Sequence, residues 1–279
     1  MSDAALAVFR AWELPVWLTA SIVLTGVIYV RGWIVIRRSR PQQFGIDQLG
    51  FFLAGLVVLW FSIASPMDGF ADTMLTAHMI EHLMLMSVIP PLLLLGLPAV
   101  PLLRGLPRPV VKFVAAPLIR TRPLRRFSHW LVTPLIGFLA MNLAFLGWHV
   151  PAAYDFALEH EFWHDVEHIC FLLTSILFWH CLIRPWPTKS GRRDWDVIVY
   201  ILMAESINTL LCAFLAFCGR PVYQFYFTTT NPFGMAAVED QTLGAVIMWV
   251  LGSFAFMIPA MGITIELLSG NRRPATRPR

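Results

Sequence analysis

Residues 73–95 read TMLTAHMIEHLMLMSVIPPLLLL, 23 residues of nearly unbroken apolar character that nonetheless hold two histidines and a glutamate. At about 1.5 Å of rise per residue, such a helix reaches about 34 Å, enough to cross a hydrocarbon core of roughly 30 Å. Working outward from it, six further stretches have comparable length and apolarity, at about 15–36, 49–65, 130–148, 162–183, 196–218 and 242–268. The reading predicts an all-α integral membrane protein, a single domain of seven transmembrane helices over residues 1–279.

Composition agrees. With 57% hydrophobic and 14% charged residues among 279, and a mean hydropathy of +0.66, the chain has more apolar surface than a soluble core of this size buries. The opening MSDAALAVFRAWELP lacks the basic start and small-residue cleavage site of a secretory signal, so the first apolar segment is expected to remain as a span. Cys170, Cys181, Cys212 and Cys218 lie in apolar runs without CxxC spacing, as buried small residues do.

The net charge of +4 reports topology rather than nucleic-acid binding, because lysine and arginine collect on the cytoplasmic side. Arg31, Arg37, Arg38 and Arg40 follow the first span. Arg104, Arg108, Lys112, Arg120, Arg122, Arg125 and Arg126 lie between the third and fourth. Arg184, Lys189, Arg192 and Arg193 follow the fifth, and Arg272, Arg273, Arg277 and Arg279 form the tail. Only Arg10 and Arg220 remain for the opposite face, which predicts an external N-terminus and a cytoplasmic C-terminus. The acid-free, proline-rich segment 97–128 reads as a basic cytoplasmic loop. Its RPVVKFVAAPLIR stretch suits either the headgroup layer beside anionic lipid or a plain topogenic connection.

Carboxylates fall on or toward the other side, namely Asp3, Glu13, Asp68, Asp72, Glu81, Asp155, Glu159, Glu161, Asp165, Glu167, Glu239 and Asp240. Acids contribute little to the topology rule, so this bias reflects either solvated loops or a cation site. Six of the eight histidines share that side. The pattern HxxEH occurs twice, as His78-Met79-Ile80-Glu81-His82 and His164-Asp165-Val166-Glu167-His168. On a helix, positions four apart lie about 40° apart around the axis and about 6 Å along it, so each His pair faces one way and can share a metal, with the glutamate on the same face. His149 in Trp148-His149-Val150-Pro151, His160 and the Glu239-Asp240-Gln241 run reach a similar level.

Imidazole with carboxylate suits copper, zinc or iron, whereas calcium and magnesium favour oxygen alone. Met74, one turn before His78, is either a soft ligand or core filler. His129 and His180, at the opposite ends of their helices, read as structural. Ionisable groups inside a bilayer are costly and tend to be functional, which favours a site for the two HxxEH segments. Glu205, deep in the sixth span, is either protonated or a relay or supporting group.

The segments His78-x3-His82, Trp148-His149-x-Pro151-x2-Tyr154-Asp155, His164-x2-Glu167-His168 and Asp240-Gln241-x2-Gly244-x3-Met248-Trp249, in that order, resemble the CtaG family of cytochrome c oxidase assembly factors. The resemblance implies a multi-pass protein of the bacterial plasma membrane that supports formation of the copper centre of a respiratory terminal oxidase, with the oxidase catalytic subunit and membrane lipids as partners. By motif position it implies His78, His82, His149, His164, Glu167, His168 and Asp240 as functional residues. Glu81 stands where many relatives carry glutamine, and His160 matches no family position.

Two other functions are compatible with the residues. HxxEH is also the inverted zincin order, in which Glu167 or Glu81 would act as base in an intramembrane zinc hydrolase. Histidines on two helices would also serve as axial ligands in a haem protein. Copper, zinc and iron therefore define three distinct expectations, with an assembly factor rather than an enzyme the leading one.

Overall fold

The computed structural model describes residues 3–186 and 194–269, and the regular structure among them is entirely helical. Helix α1 (Asp3–Ala11) is followed by α2 (Val16–Arg37), α3 (Ile46–Ala64), the short α4 (Pro66–Ala71) and α5 (Leu75–Leu95). The basic segment that the sequence presents as a loop is itself helical, as α6 (Ala99–Gly105), α7 (108–120) and α8 (Arg122–Leu131). Then come α9 (Pro134–Trp148), α10 (Pro151–Leu158), α11 (Glu161–Ile183), α12 (Asp194–Phe217), α13 (Phe225–Thr228) and α14 (Ala237–Leu268). Lys189, Arg192, Arg193 and the basic residues of the tail lie outside the described residues.

Six of these helices, α2, α3, α5, α11, α12 and α14, are long and apolar enough to cross a membrane, and their bounds lie within a few residues of the expected ones except at the start of α14. The fourth expected span, 130–148, differs. Its helix begins only at Pro134 and meets α8 at a bend of 65°, so seven spans are reached only if the bent pair counts as one. The cause is local. Thr133 precedes a proline and is extended (φ −73°, ψ 145°), because the proline ring disfavours helical geometry in the residue before it. At 15 residues, α9 is about 22 Å long.

Helix α5 packs against α3, α11 and α14 and is the innermost element, 56% buried where the other five candidate spans run from 22 to 39%. The placement explains how its histidines and glutamate are tolerated, since they face protein rather than lipid. Gly244 of α14 allows a close approach of that helix to α5. A Cβ there would sit 3.2 Å from the Thr76 Cα, tighter than most real contacts. Aliphatic and aromatic residues such as Val57, Leu143, Leu210, Phe214 and Ile258 remain exposed around the bundle, as a lipid-facing surface requires.

Directly after His82, residues Met84–Val88 widen into a π turn before α5 continues through Pro90 and Pro91. Prolines donate no backbone N–H, so the preceding turn loses two partners. The Trp179 indole of α11 donates to the Met86 carbonyl at 2.8 Å within this turn, satisfying a group that the widened ladder exposes. On α8, Arg122, Arg125, Arg126 and His129 follow one another at helical spacing. Leu124, Phe127 and Trp130 are exposed, and the last two rings stack with centroids 5.8 Å apart.

Candidate metal centre

Helices α5 and α11 each present one turn bearing histidines four residues apart, and the fold sets these turns face to face. His78 and His82 ring centroids lie 4.1 Å apart on α5, and those of His164 and His168 lie 4.2 Å apart on α11. Across the helices, His78 is 5.2 Å from His164 and 6.0 Å from His168, while His82 is 5.8 Å from His168. Among the described residues two ligand sets result. One is His78, His82 and His168; the other is His78, His164 and Glu167, and within each set the donor atoms lie within 4.8 Å of one another. Two metal bonds of about 2.0 Å span at most roughly 4 Å, so small side-chain movements suffice to close either set on an ion. His78 is common to both.

The hydrogen bonding of these groups fits a cation. Neither ring nitrogen of His78 or His82 has a partner, nor does either oxygen of Glu167 or Glu81, nor Nε2 of His149, His164 and His168. His82 Nε2 approaches Glu167 Oε1 only to 3.6 Å, beyond hydrogen-bond length. Each such buried orphan costs about 1–3 kcal/mol, and native structures rarely gather many in one place. A borderline or soft cation taking nitrogen and carboxylate donors would satisfy those that belong to the ligand sets.

His149, the C-cap of α9, lies 5.7 Å from His82. Its Nδ1 is 2.7 Å from the Phe145 carbonyl. A carbonyl only accepts, so Nδ1 carries the proton and Nε2, which has no partner, keeps its lone pair. Glu81 is fully buried but belongs to neither ligand set. His160 is exposed, with its ring held by the Phe156 carbonyl at 2.9 Å, apart from the cluster. Met74 packs with Phe70, Ala71, Ala77 and Met235 in a separate apolar patch.

Asp240 occupies another position altogether. Its carboxylate accepts from the Leu75 N–H at 2.8 Å, the Thr76 N–H at 3.0 Å and the Thr76 hydroxyl at 2.5 Å. It thus caps the exposed donors and positive dipole end of α5, holding in place the helix that carries His78 and His82. Two neighbours in the motifs do similar work. Asp155 accepts from the backbone N–H groups of Gln224 and Phe225, and the Gln241 side chain accepts from Val222 N–H while donating to the Leu215 carbonyl. Glu205 accepts from Ser253 and Thr209, a link between α12 and α14 far from the histidines in sequence.

Spacing alone gave no reason to place two aromatic walls at the centre. Tyr154, fully buried, stacks on Tyr223 at 3.9 Å and lies 5.2 Å from His78; Phe171 meets His82 edge-on at 4.5 Å. The Tyr154 signal was its place in the WHxPxxYD segment. On the inner side of His82, a cavity of about 30 Å³ is lined by Met86, Met141, Met248, Asn142 and Asn208 among others. On the other side, His164 and His168 line a larger cavity of about 1090 Å³. Asp68 at its wall is raised to about 7, chiefly by burial and then by the nearby charges of Asp72 and Asp165, and Asp72 is raised by burial and by Glu161.

Over nearly all of its own residues the chain is similar to uncharacterized proteins of Mycobacterium bovis and Mycobacterium tuberculosis, each 24% identical over 97% of this chain, and to one of Mycobacterium leprae, 23% identical over 96%. The chain spans 41% of the length of each of these relatives. No solved structure matches it. The family profile described as cytochrome c oxidase caa3 assembly factor (Caa3_CtaG) matches residues 27–269, a stretch that contains both HxxEH segments and the residues that hold them, and the chain therefore belongs to that family.

Proposed function

We propose that this protein binds copper at the His78, His82, His164, His168 and Glu167 cluster and makes it available for building the copper centre of a terminal oxidase. The observation that carries the reading is the convergence of two helical His pairs into ligand sets whose buried donors have no other partner. His149 and Glu81 adjoin as further donors or as groups that orient the imidazoles. Asp240 serves through α5 rather than at the ion.

Among metals, copper is favoured by the three thioethers of Met86, Met141 and Met248 around the cavity behind His82, since soft sulfur suits reduced copper better than zinc or ferrous iron. The haem reading finds no support beyond the histidines themselves, because their pairing at four-residue spacing on each of two helices suits a shared ion better than single axial ligation. The hydrolase reading needs a glutamate free to act as base beside reachable substrate, whereas Glu167 falls within a ligand set and Glu81, in neither set, is fully buried and lines neither of the two cavities.

In this reading the histidine end of the bundle faces outward and the basic end lies in the cytoplasm of a bacterial plasma membrane, with α8 along the headgroups, its arginine row toward anionic lipid and Phe127 and Trp130 toward the acyl chains. The partner is the oxidase catalytic subunit in the same membrane. Elemental analysis of the purified protein tests the centre directly. Copper should copurify and be lost in His78→Ala and His168→Ala; copper content unchanged by both substitutions sinks the proposal. A strain lacking the protein should still make the oxidase polypeptide but without its active-site copper, and normal copper there refutes the biological role.

A further inference from the structure

The larger cavity beside the histidines carries a second inference, which rests on the metal-centre reading above. Its walls bring together Glu13 from the link between α1 and α2, Asp68 of α4, Asp72 just beyond it, Glu159 at the end of α10, and Glu161 and Asp165 from the first turns of α11. Three stretches of chain, around residues 13, 68–72 and 159–165, thus contribute six carboxylates to one space, and among the described residues no lysine or arginine lines it. Among the described residues, none of these acids forms an ion pair with a basic side chain. Like charges held together without counter-ions repel one another, and low-dielectric walls concentrate the resulting field.

What distinguishes this space from an ordinary acidic surface is its inner wall. His168 is only 7% exposed and its Nε2 has no hydrogen-bond partner, yet its side chain lines the cavity together with His164, whose Nε2 is also unpartnered. These are the same two imidazoles that close the two ligand sets with His78. The cavity therefore ends on the metal centre. At about 1090 Å³ it far exceeds the roughly 30 Å³ share of one water in the liquid, so a cation enters it with its hydration shell. None of its carboxylates belongs to a ligand set, which suits guidance by field rather than retention.

We propose that this carboxylate-lined vestibule is the entrance through which hydrated cations from the aqueous phase reach the histidine centre, with Asp68, Asp72 and Asp165 drawing the ion in and His164 and His168 receiving it first. The carboxylates set the rate of loading, and the imidazoles set its strength. The excess of acids toward this side is thereby accounted for as a functional field.

The test is rapid mixing of the purified full chain with Cu(II), followed through tryptophan fluorescence, since Trp12 and Trp17 line the cavity. Asp68→Asn/Asp72→Asn/Asp165→Asn should load about tenfold more slowly at low ionic strength and lose most of the salt dependence of the rate, with unchanged copper per chain at saturation. Because that triple change includes the half-buried Asp68, Glu159→Gln/Glu161→Gln at exposed positions gives a second measure and should slow loading by a smaller factor. Loading by both variants at the wild-type rate, with wild-type salt dependence, overturns the vestibule while leaving the centre in place. A triple variant that folds but no longer reaches full copper content also overturns it, because the carboxylates would then be ligands. Failure of the wild-type protein to take up any ion overturns both the vestibule and the centre.

Discussion

The two HxxEH turns have the same pattern and opposite settings. On α5, His78, Glu81 and His82 are all fully buried, deep between α11 and α14. On α11, His164 is half-buried and lines the vestibule with His168, while Glu167 is buried and joins a ligand set. The glutamates differ too, since Glu81 joins neither set. One turn is a fixed inner wall and the other an accessible receiving face. A motif at helical spacing tells which side chains share a direction, and only packing tells which of two copies an incoming ion meets first.

The sharpest break of this comparison is His78→Ala. His78 belongs to both ligand sets, so copper affinity should fall by more than about a hundredfold, beyond the range typical of supporting groups. His164→Ala leaves the His78, His82 and His168 set intact and should cost less; equal losses in an equilibrium competition assay would mean that the two turns are not distinct in role. Next in size, Glu167→Gln should weaken copper binding by about 10- to 100-fold and Glu81→Gln by less, and the reverse order would exchange the parts assigned to the two glutamates.

A smaller effect is expected from Asp240→Asn. It removes a charged cap that accepts two backbone N–H groups and a hydroxyl, at a cost of about 1–2 kcal/mol. A lowered Tm in detergent should accompany weaker copper binding, and Thr76→Val should reproduce part of both. An Asp240→Asn protein with unchanged Tm but no copper would make Asp240 a ligand instead.

The smallest effect concerns the vestibule without metal. Asp68 is raised from 3.8 to about 7 in the folded protein. The unfolded chain thus ionises first as pH rises between those values, and the folded state loses relative stability until pH passes about 7. Asp68→Asn should therefore raise Tm at pH 8 and leave it nearly unchanged at pH 3, and a larger gain at low pH would contradict the crowding of acids inferred there.

Much of this was legible in the sequence. The lengths of the apolar runs gave α2, α3, α5, α11 and α12 to within a few residues, and four-residue spacing singled out His78, His82, His164 and His168, which the fold brings together. The bend before Pro134 was missed because hydropathy stays high across it while the backbone of Thr133 does not stay helical. Asp240 shares the level of the histidines in sequence, yet its partners lie 164 and 165 residues away at the start of α5, a pairing that no local pattern encodes. Tyr154 and Phe171 reach the centre for the same reason, through contacts between helices rather than along them.

The π turn at Met84–Val88 sets the rotational register of the whole arrangement. A π turn amounts to one residue inserted into an α-helix, and each residue of an α-helix turns the chain by about 100°. Deleting one residue from 84–88 would restore regular helix yet swing His78, Glu81 and His82 by about a quarter turn relative to the Pro90–Leu95 segment packed on α3 and α11. The irregular turn is thus a spacer measured in angle, which lets one continuous helix satisfy its packing at one end and aim its histidines at the other.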